Sequence, residues 1–473
     1  MSEKNLKTYT LITVTVAAFL SPFAGSALNL ALPVIGNEMH GSTLLLSWAV
    51  SGYVLASAAF LIPLGRLSDI VGRSKIFILG QGIFTATSLL CALARSMTVL
   101  IAARCIEGMG AAAMFGTGMA ILSSVFPARE RGKALGVYTC TIYAGLSLGP
   151  SLGGIMTHYL GWRSIFIFAT IVAAANFTLS ALKVQRPARE KIKKEPYEFT
   201  SAVLYTAGII AFLYGISSVG VNSGAKHILL AGLVALIIFV LVELRAAHPL
   251  LNLRLFRNTT YFFSNLAALI NYSSTYAIGF IFSLYLQVVK GYDAQVAGMI
   301  LLIQPAMQAL LSPYAGTLSD RVDPRFLASM GMTVITAGLL LFSFISPCFP
   351  IWLVMANLAL LGIGFGLFSS PNSNAIMGSV DQEFYGVASS TLSTMRNTGQ
   401  ALSMAMVTLI ISMYLGDVQL TPAFSAEYVL AARTACLVFA VICGVGIFAS
   451  LARGKTIREK TGSIHLQDQR RGR

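Results

Sequence analysis

Apolar residues dominate this 473-residue chain in runs of about twenty, each closed by a short polar break. Coiled as an α-helix, a run of that length crosses the roughly 30 Å of hydrocarbon in a bilayer. Fourteen such runs lie near 9–30, 45–64, 75–94, 98–122, 134–158, 164–183, 200–220, 226–246, 260–287, 294–316, 325–346, 351–375, 386–414 and 429–451. No stretch alternates with the period of two that a membrane β-barrel requires. The first run continues past twenty residues into NLALPVIG, with no small-x-small cleavage site leading to a polar segment, and is read as a retained span. The pattern predicts an all-α polytopic membrane protein with fourteen spans.

Composition agrees, because 56% hydrophobic and 11% charged residues leave too little polar material to coat a soluble globule of this size. The formal net charge of +15 changes the picture only through its placement. Of the 33 lysines and arginines, 26 fall at the N-terminus, in loops after even-numbered spans, or in the C-terminal tail. Short positive loops stay on the cytoplasmic side, so both termini are expected in the cytoplasm of a multi-pass protein of the cell membrane. The basic loops then face anionic headgroups of the lipid bilayer, and the charge gives no reason to expect nucleic acid as a partner. Six cysteines show no CxxC or metal-ligand spacing and read as packing residues. No metal site, no cofactor and no ATP-binding GxxxxGK[ST] loop is expected.

The chain also repeats itself. The loop GRLSDIVGRSK at 65–75 carries Arg66, Asp69, Arg73 and Lys75, and a paler version, GTLSDRVDPR, returns at 316–325 after an offset of 251 residues. Gly108, Gly110 and Gly132 are matched by Gly362, Gly364 and Gly386 at an offset of 254. Both pairs place equivalent features after equivalent spans, as an internal duplication would. The expected organisation is an N-terminal six-helix bundle at 1–183, a cytoplasmic linker with two inserted transmembrane helices at 184–257, a C-terminal six-helix bundle at 258–452, and a cytoplasmic tail at 453–473. The linker KVQRPAREKIKKEPYEF is polar, basic and proline-bearing, as suits a connection between bundles.

Two parallel six-span repeats with this loop resemble the major facilitator superfamily, and fourteen spans resemble its drug:proton antiporter branch. The resemblance covers nearly the whole chain. It implies the major facilitator fold and makes the loop residues Gly65, Arg66, Asp69, Gly72, Arg73 and, in the second copy, Asp320 a latch that holds the halves together in the outward-facing state. Taken alone, the four charges could simply mark a cytoplasmic loop. Span 4 carries RCIEGMGAAAMFG, similar to the family's arginine followed by a glycine pair. Arg104 and Glu107 share a helix face at i, i+3 and lie about 10 to 15 Å along the helix from Met97. Ionisable groups at that depth are candidates for function, here proton coupling; a structural ion pair is the plainer alternative. Span 5 carries Gly145-x-x-x-Gly149-Pro150-x-x-Gly153-Gly154, resembling the antiporter motif of exporters. Its small residues permit close helix contact, and Pro150 bends the helix.

The chain departs from the branch in two places. Ala24 in FAGSALNLALP stands where the branch usually has an aspartate, and Glu107 stands where the family more often has glutamine. Glu107, the one acid well inside a span, is left to carry coupling. Arg396 in STMRNTGQAL also lies deep, so two arginines face one glutamate and the interior should be neutral to positive. That field disfavours strictly cationic substrates and suits neutral amphipathic or weakly anionic ones. The substrate cavity is expected to include Asn29, Tyr53, Phe115, Tyr143, Tyr276, Gln304, Gln308, Phe365 and Arg396, although each of these alone also fits a packing role. Together these features predict a monomeric secondary active transporter, with proton-coupled efflux of small amphipathic compounds by alternating access. The alternative is an uncoupled or proton-linked transporter of a specific metabolite or organic anion. A membrane enzyme would need a reactive constellation within the bilayer, whereas His40, His158, His227, His248 and His465 all fall at loops or edges.

Overall fold

The computed structural model describes residues 3–183, 196–220, 222–246, 248–319, 321–381 and 384–453. The linker expected at 184–199 therefore lies mostly outside the described residues, as do Asp320 and the tail beyond Arg453. Secondary structure in the described residues is helical throughout. The chain runs through α1 (Glu3–Met39), α2 (Thr43–Val71), α3 (Arg73–Leu93), α4 (Met97–Val125), α5 (Ala128–Leu160), α6 (Arg163–Lys183), α7 (Phe199–Ser218) and α8 (Ala225–Arg245). It continues through α9 (Thr259–Thr275), α10 (Ile278–Leu284), α11 (Ala294–Leu301), α12 (Ile303–Leu318), α13 (Pro324–Phe342), α14 (Ile351–Met377), α15 (Tyr385–Leu415) and α16 (Ser425–Leu451).

Short polar side chains start several helices by accepting from otherwise orphaned amides: Ser42 from Leu45 (3.3 Å), Ser96 from Val99 (3.4 Å) and Asp293 from Val296 (2.8 Å). Between α2 and α3 the turn is made by a single residue, Gly72, at φ 116°, a backbone region closed to most side chains. Among the described residues, thirteen spans are long and apolar enough to cross a membrane. The thirty-three-residue α5, diluted by glycine, serine and threonine, falls short on composition but packs along the length of α1.

Two predicted spans prove to be broken. The ninth divides at Tyr276–Ala277, where the Ala277 amide bonds Ser403 Oγ (3.1 Å), and then passes through α10 into a π-turn at Tyr285–Val289. The tenth divides at Leu302 because Pro305 has no amide hydrogen to offer Leu301 O.

Helix pairing repeats along the chain. Contacts α1–α5, α2–α4, α3–α4 and α3–α6 recur as α9–α15, α12–α14, α13–α14 and α13–α16. The closest approach repeats with them. A Cβ on Gly80 would lie 2.9 Å from Gly110 O, and one on Gly331 would lie 2.6 Å from Gly364 O, so α3–α4 and α13–α14 meet backbone to backbone. Helices α7 and α8 form a hairpin, with α7 laid on both α2 and α15.

The first six helices meet the last eight mainly along α2–α15 and α5–α11. Their ties gather at the end formed by loops 40–42, 161–162, 290–293 and 416–424. There Thr43 N and Oγ1 donate to Val418 O (2.9 and 3.0 Å), Gln419 Nε2 to Gly36 O (3.2 Å) and Ser283 Oγ to Asn29 O (2.6 Å). At the opposite end Ser389 Oγ reaches Met119 Sδ (2.8 Å).

Candidate functional site: two arginine clusters within the bundle

Two arginines deep in the bundle are treated differently by their surroundings. Arg104, on α4, is fully buried and donates from Nη1 to Glu107 Oε2 (2.6 Å) and from Nε to Ala49 O on α2 (3.2 Å). Its guanidinium lies 4.1 Å from the centre of the Tyr53 ring, and its Nη2 has no partner. Glu107, equally buried, takes a second bond from Ser88 Oγ on α3 (2.5 Å), with Cys91 Sγ at 4.0 Å. The carboxylate thus turns into the α3–α4 contact, and Arg104 stands between it and α2. The charges neutralise one another, as a buried pair must.

Tyr53 carries this cluster toward the centre. Its hydroxyl bonds Ser21 Oγ on α1 and donates to Ser21 O (3.1 Å). A Cβ at Gly25 would lie 3.5 Å from Tyr276 Oη and 3.8 Å from the Tyr53 ring, so both tyrosines border the same stretch of α1. Ala24, where the branch carries an acid, is fully buried in this apolar packing.

Arg396 has a different setting. It is the twelfth residue of α15, about 17 Å from the helix start. Its guanidinium sits 5.3 Å from the Tyr272 ring centre, and Tyr138 and Tyr143 of α5 are within electrostatic reach. No carboxylate lies within 4 Å of it among the described residues, and its buried Nε has no partner. Around it, Tyr143 Oη bonds Ser369 Oγ of α14, Tyr272 meets Phe365 edge to face at 5.4 Å, and Asn397 Nδ2 donates to Ser57 Oγ of α2 (3.2 Å).

Of the predicted cavity residues, Tyr143, Phe365 and Arg396 come together in this second cluster, and Tyr53 and Tyr276 near the first. Asn29 sits where α1 meets α10, with Oδ1 buried and unpartnered. Phe115, partly buried, packs against an apolar cluster drawn mainly from the first six helices and also from α7, α8 and α15. Gln304 and Gln308 lie on α12 where it crosses α14: a Cβ at Gly362 would lie 2.3 Å from Gln304 O, and Gln308 Nε2 is buried without a partner. Sequence reasoning misses Tyr272 and Ser88. Tyr272 was signalled by its i, i+4 spacing from Tyr276; nothing local marks Ser88 as the partner of Glu107.

The loop and the span-5 motif have clear physical settings. Asp69 pairs with Arg73 (2.8 Å) across the Gly72 turn, Arg73 Nη1 donates to Ala120 O (3.4 Å), and Gly65 lies against Gly116 of α4. Arg66 lies within the last two turns of α2. On α5, Gly145, Gly149 and Gly153 face α1, where Cβ atoms would strike Phe19 O, Ser26 and Ala27. Gly154 and Pro150 face α11 instead: a Cβ on Gly154 would lie 2.3 Å from Ala294 O, and one on Gly298 would lie 2.5 Å from Pro150 O.

Comparison with known proteins agrees with this architecture. The riboflavin transporter RibZ of Clostridioides difficile is 29% identical over 444 residues, covering 93% of this chain and 96% of its own. The multidrug resistance protein Stp of Mycobacterium tuberculosis is 30% identical over 86% of this chain and 76% of its own. The cephamycin export protein CmcT of Amycolatopsis lactamdurans is 31% identical over 86% and 85%. Among solved structures, an inward-facing bacterial homologue of the human lysosomal transporter Spinster superimposes with a TM-score of 0.68 at 16% identity, covering 95% of this chain and 98% of that one. The sequence model of the Major Facilitator Superfamily matches residues 14–404 and 264–468, and this chain, a secondary transporter with the major facilitator fold, belongs to that family.

Proposed function

We propose that the protein is a proton-coupled exporter of small amphipathic compounds, working by alternating access, with Glu107 as the proton-binding group and Arg104 as its charge partner. The observation that carries this reading is the fully buried Arg104–Glu107 pair, joined through Tyr53 to the α1 surface that Tyr276 also borders. Protonating Glu107 removes the counter-charge of a guanidinium held away from water. The Tyr53 and Ala49 contacts must then rearrange. Proton binding favours one state of the bundle and substrate the other, because a ligand shifts an equilibrium only by its differential affinity.

In this scheme the Asp69–Arg73 loop, with Gly65, Arg66, Gly72 and Asp320, latches the basic end, and Gly145, Gly149, Pro150, Gly153 and Gly154 form the seam along which α5 slides on α1 and α11. With the termini cytoplasmic in the cell membrane, the end that carries most of the ties between the first six helices and the last eight would be the outer one. The protein acts as a monomer; small-molecule substrate, protons and lipid are its partners. A second reading, an uncoupled or proton-linked carrier of one metabolite or organic anion, is supported by the similarity to RibZ over nearly the whole chain.

The test is flux in proteoliposomes with and without a pH gradient, using compounds drawn from a resistance screen in a transport-deficient host. Glu107→Gln is expected to abolish gradient-driven flux while leaving counterflow of unlabelled against labelled compound. Retained gradient-driven flux in that variant refutes the assignment.

A further inference from the structure

The two arginines differ in one respect that bears on what is carried. Arg104 is neutralised by Glu107 at 2.6 Å and boxed in by Ala49 O and the Tyr53 ring. Arg396 has no carboxylate within 4 Å among the described residues, and its Nε is buried without a partner. An arginine is charged at every accessible pH, and an uncompensated charge at this depth is unfavourable unless a counter-ion or a polar cavity faces it. The groups around Arg396 are tyrosines: Tyr272, whose ring lies 5.3 Å from the guanidinium and whose hydroxyl hydrogen-bonds it, with Tyr138 and Tyr143 of α5 within electrostatic reach. Phe365 extends the apolar wall behind Tyr272.

We propose that Arg396 is the anchor for the anionic group of the transported substrate, whose aromatic body lies between Tyr272 and Phe365 on one side of the seam and Tyr143 on the other. The guanidinium fork matches a carboxylate or sulfonate with two parallel bonds, and ring faces accept a flat apolar body. The preferred class is a small aromatic monoanion. Because the walls come from α5 on one side and α9, α14 and α15 on the other, occupancy ties the two sets of helices together and would displace the Tyr143–Ser369 bond. The proposal rests on the transporter reading but not on proton coupling.

Equilibrium binding without any gradient tests it. Purified protein in detergent is titrated with naphthalene-1-carboxylate, naphthalene-1-sulfonate, the uncharged isostere naphthalene-1-carboxamide and the cation tetraphenylphosphonium, and the melting temperature is followed. The two anions are expected to raise it at concentrations at least 10-fold below the carboxamide. Arg396→Gln should weaken anion binding about 10- to 100-fold and leave the carboxamide unchanged. Equal response to carboxylate and carboxamide, preference for the cation, no anion response in the wild type, or anion selectivity surviving in a folded Arg396→Gln protein each overturns the anchor. If that variant does not fold, Arg396→Lys decides: anion selectivity at reduced affinity supports the assignment, and unchanged affinity overturns it. Loss of gradient-driven flux with anion selectivity intact would instead strike the coupling assignment alone.

Discussion

Replacing Glu107 with glutamine keeps the shape of the side chain and its bond to Ser88 but leaves Arg104 charged inside a dry bundle. Removing one partner from a buried pair costs about 3–5 kcal/mol, because the other charge remains without compensation. The geometry recovers part of that. Arg104 Nε still reaches Ala49 O at 3.2 Å, and the Tyr53 ring still covers the guanidinium at 4.1 Å. These retained contacts keep the cost at the lower end of that range, so a loss of about 3 kcal/mol is expected. The double replacement Arg104→Met, Glu107→Met removes both charges and fills the space with apolar atoms, which in other buried pairs is close to neutral. The double variant should therefore be more stable than Glu107→Gln alone. Denaturant unfolding in micelles, followed by tryptophan fluorescence, measures both. A Glu107→Gln protein within about 1 kcal/mol of wild type, or a double variant less stable than the single, would refute the claim that the pair is held ionised and mutually dependent.

Two further expectations concern helix contact. Gly108→Ala places a Cβ 2.2 Å from Tyr53 O, so α2 and α4 must part, Tyr53 must move, and a loss of about 1–3 kcal/mol is expected; Gly136→Ala, with nothing within 4 Å, should be neutral or slightly stabilising. Thermal unfolding of the two variants side by side checks this, and equal behaviour would contradict it. Tyr143→Phe removes the hydroxyl that bonds Ser369 across the seam, a loss of about 0.5–1.5 kcal/mol. Amide hydrogen exchange in α5 and α14 should quicken, and unchanged exchange would show that the bond does not hold the seam.

Most of the architecture was legible because a bilayer demands it. Runs of twenty apolar residues have few alternatives to a spanning helix, and the repeats at offsets of 251 and 254 residues carry through to repeated helix pairs and to the Gly80–Gly110 and Gly331–Gly364 contacts. The breaks at Tyr276–Ala277 and Leu302 were harder to read, since hydropathy is blind to a Ser403 hydroxyl that arrives from another helix. The candidate site was legible by depth but not by direction. Arg104, Glu107 and Arg396 stand out as charges among apolar residues, yet only the packing tells that one arginine is neutralised by its neighbour three residues on while the other lies among tyrosines with no carboxylate within 4 Å among the described residues. Glu107 facing Ser88, and not the seam, follows from how α3 lies on α4, a tertiary fact with no local signature.

Helix α7 touches both sides of the molecule at one residue. Tyr205 donates to Ala58 O of α2 (3.1 Å) and lies beside Thr398 of α15, while Thr206 bonds Ala59 O (3.2 Å). The inserted hairpin thus covers the α2–α15 flank of the interface, while the α5–α11 flank is closed by those two helices alone. The two added helices thereby give the protein a front and a back with respect to the lipid around it, an asymmetry that a plain twelve-helix bundle of the same kind would lack.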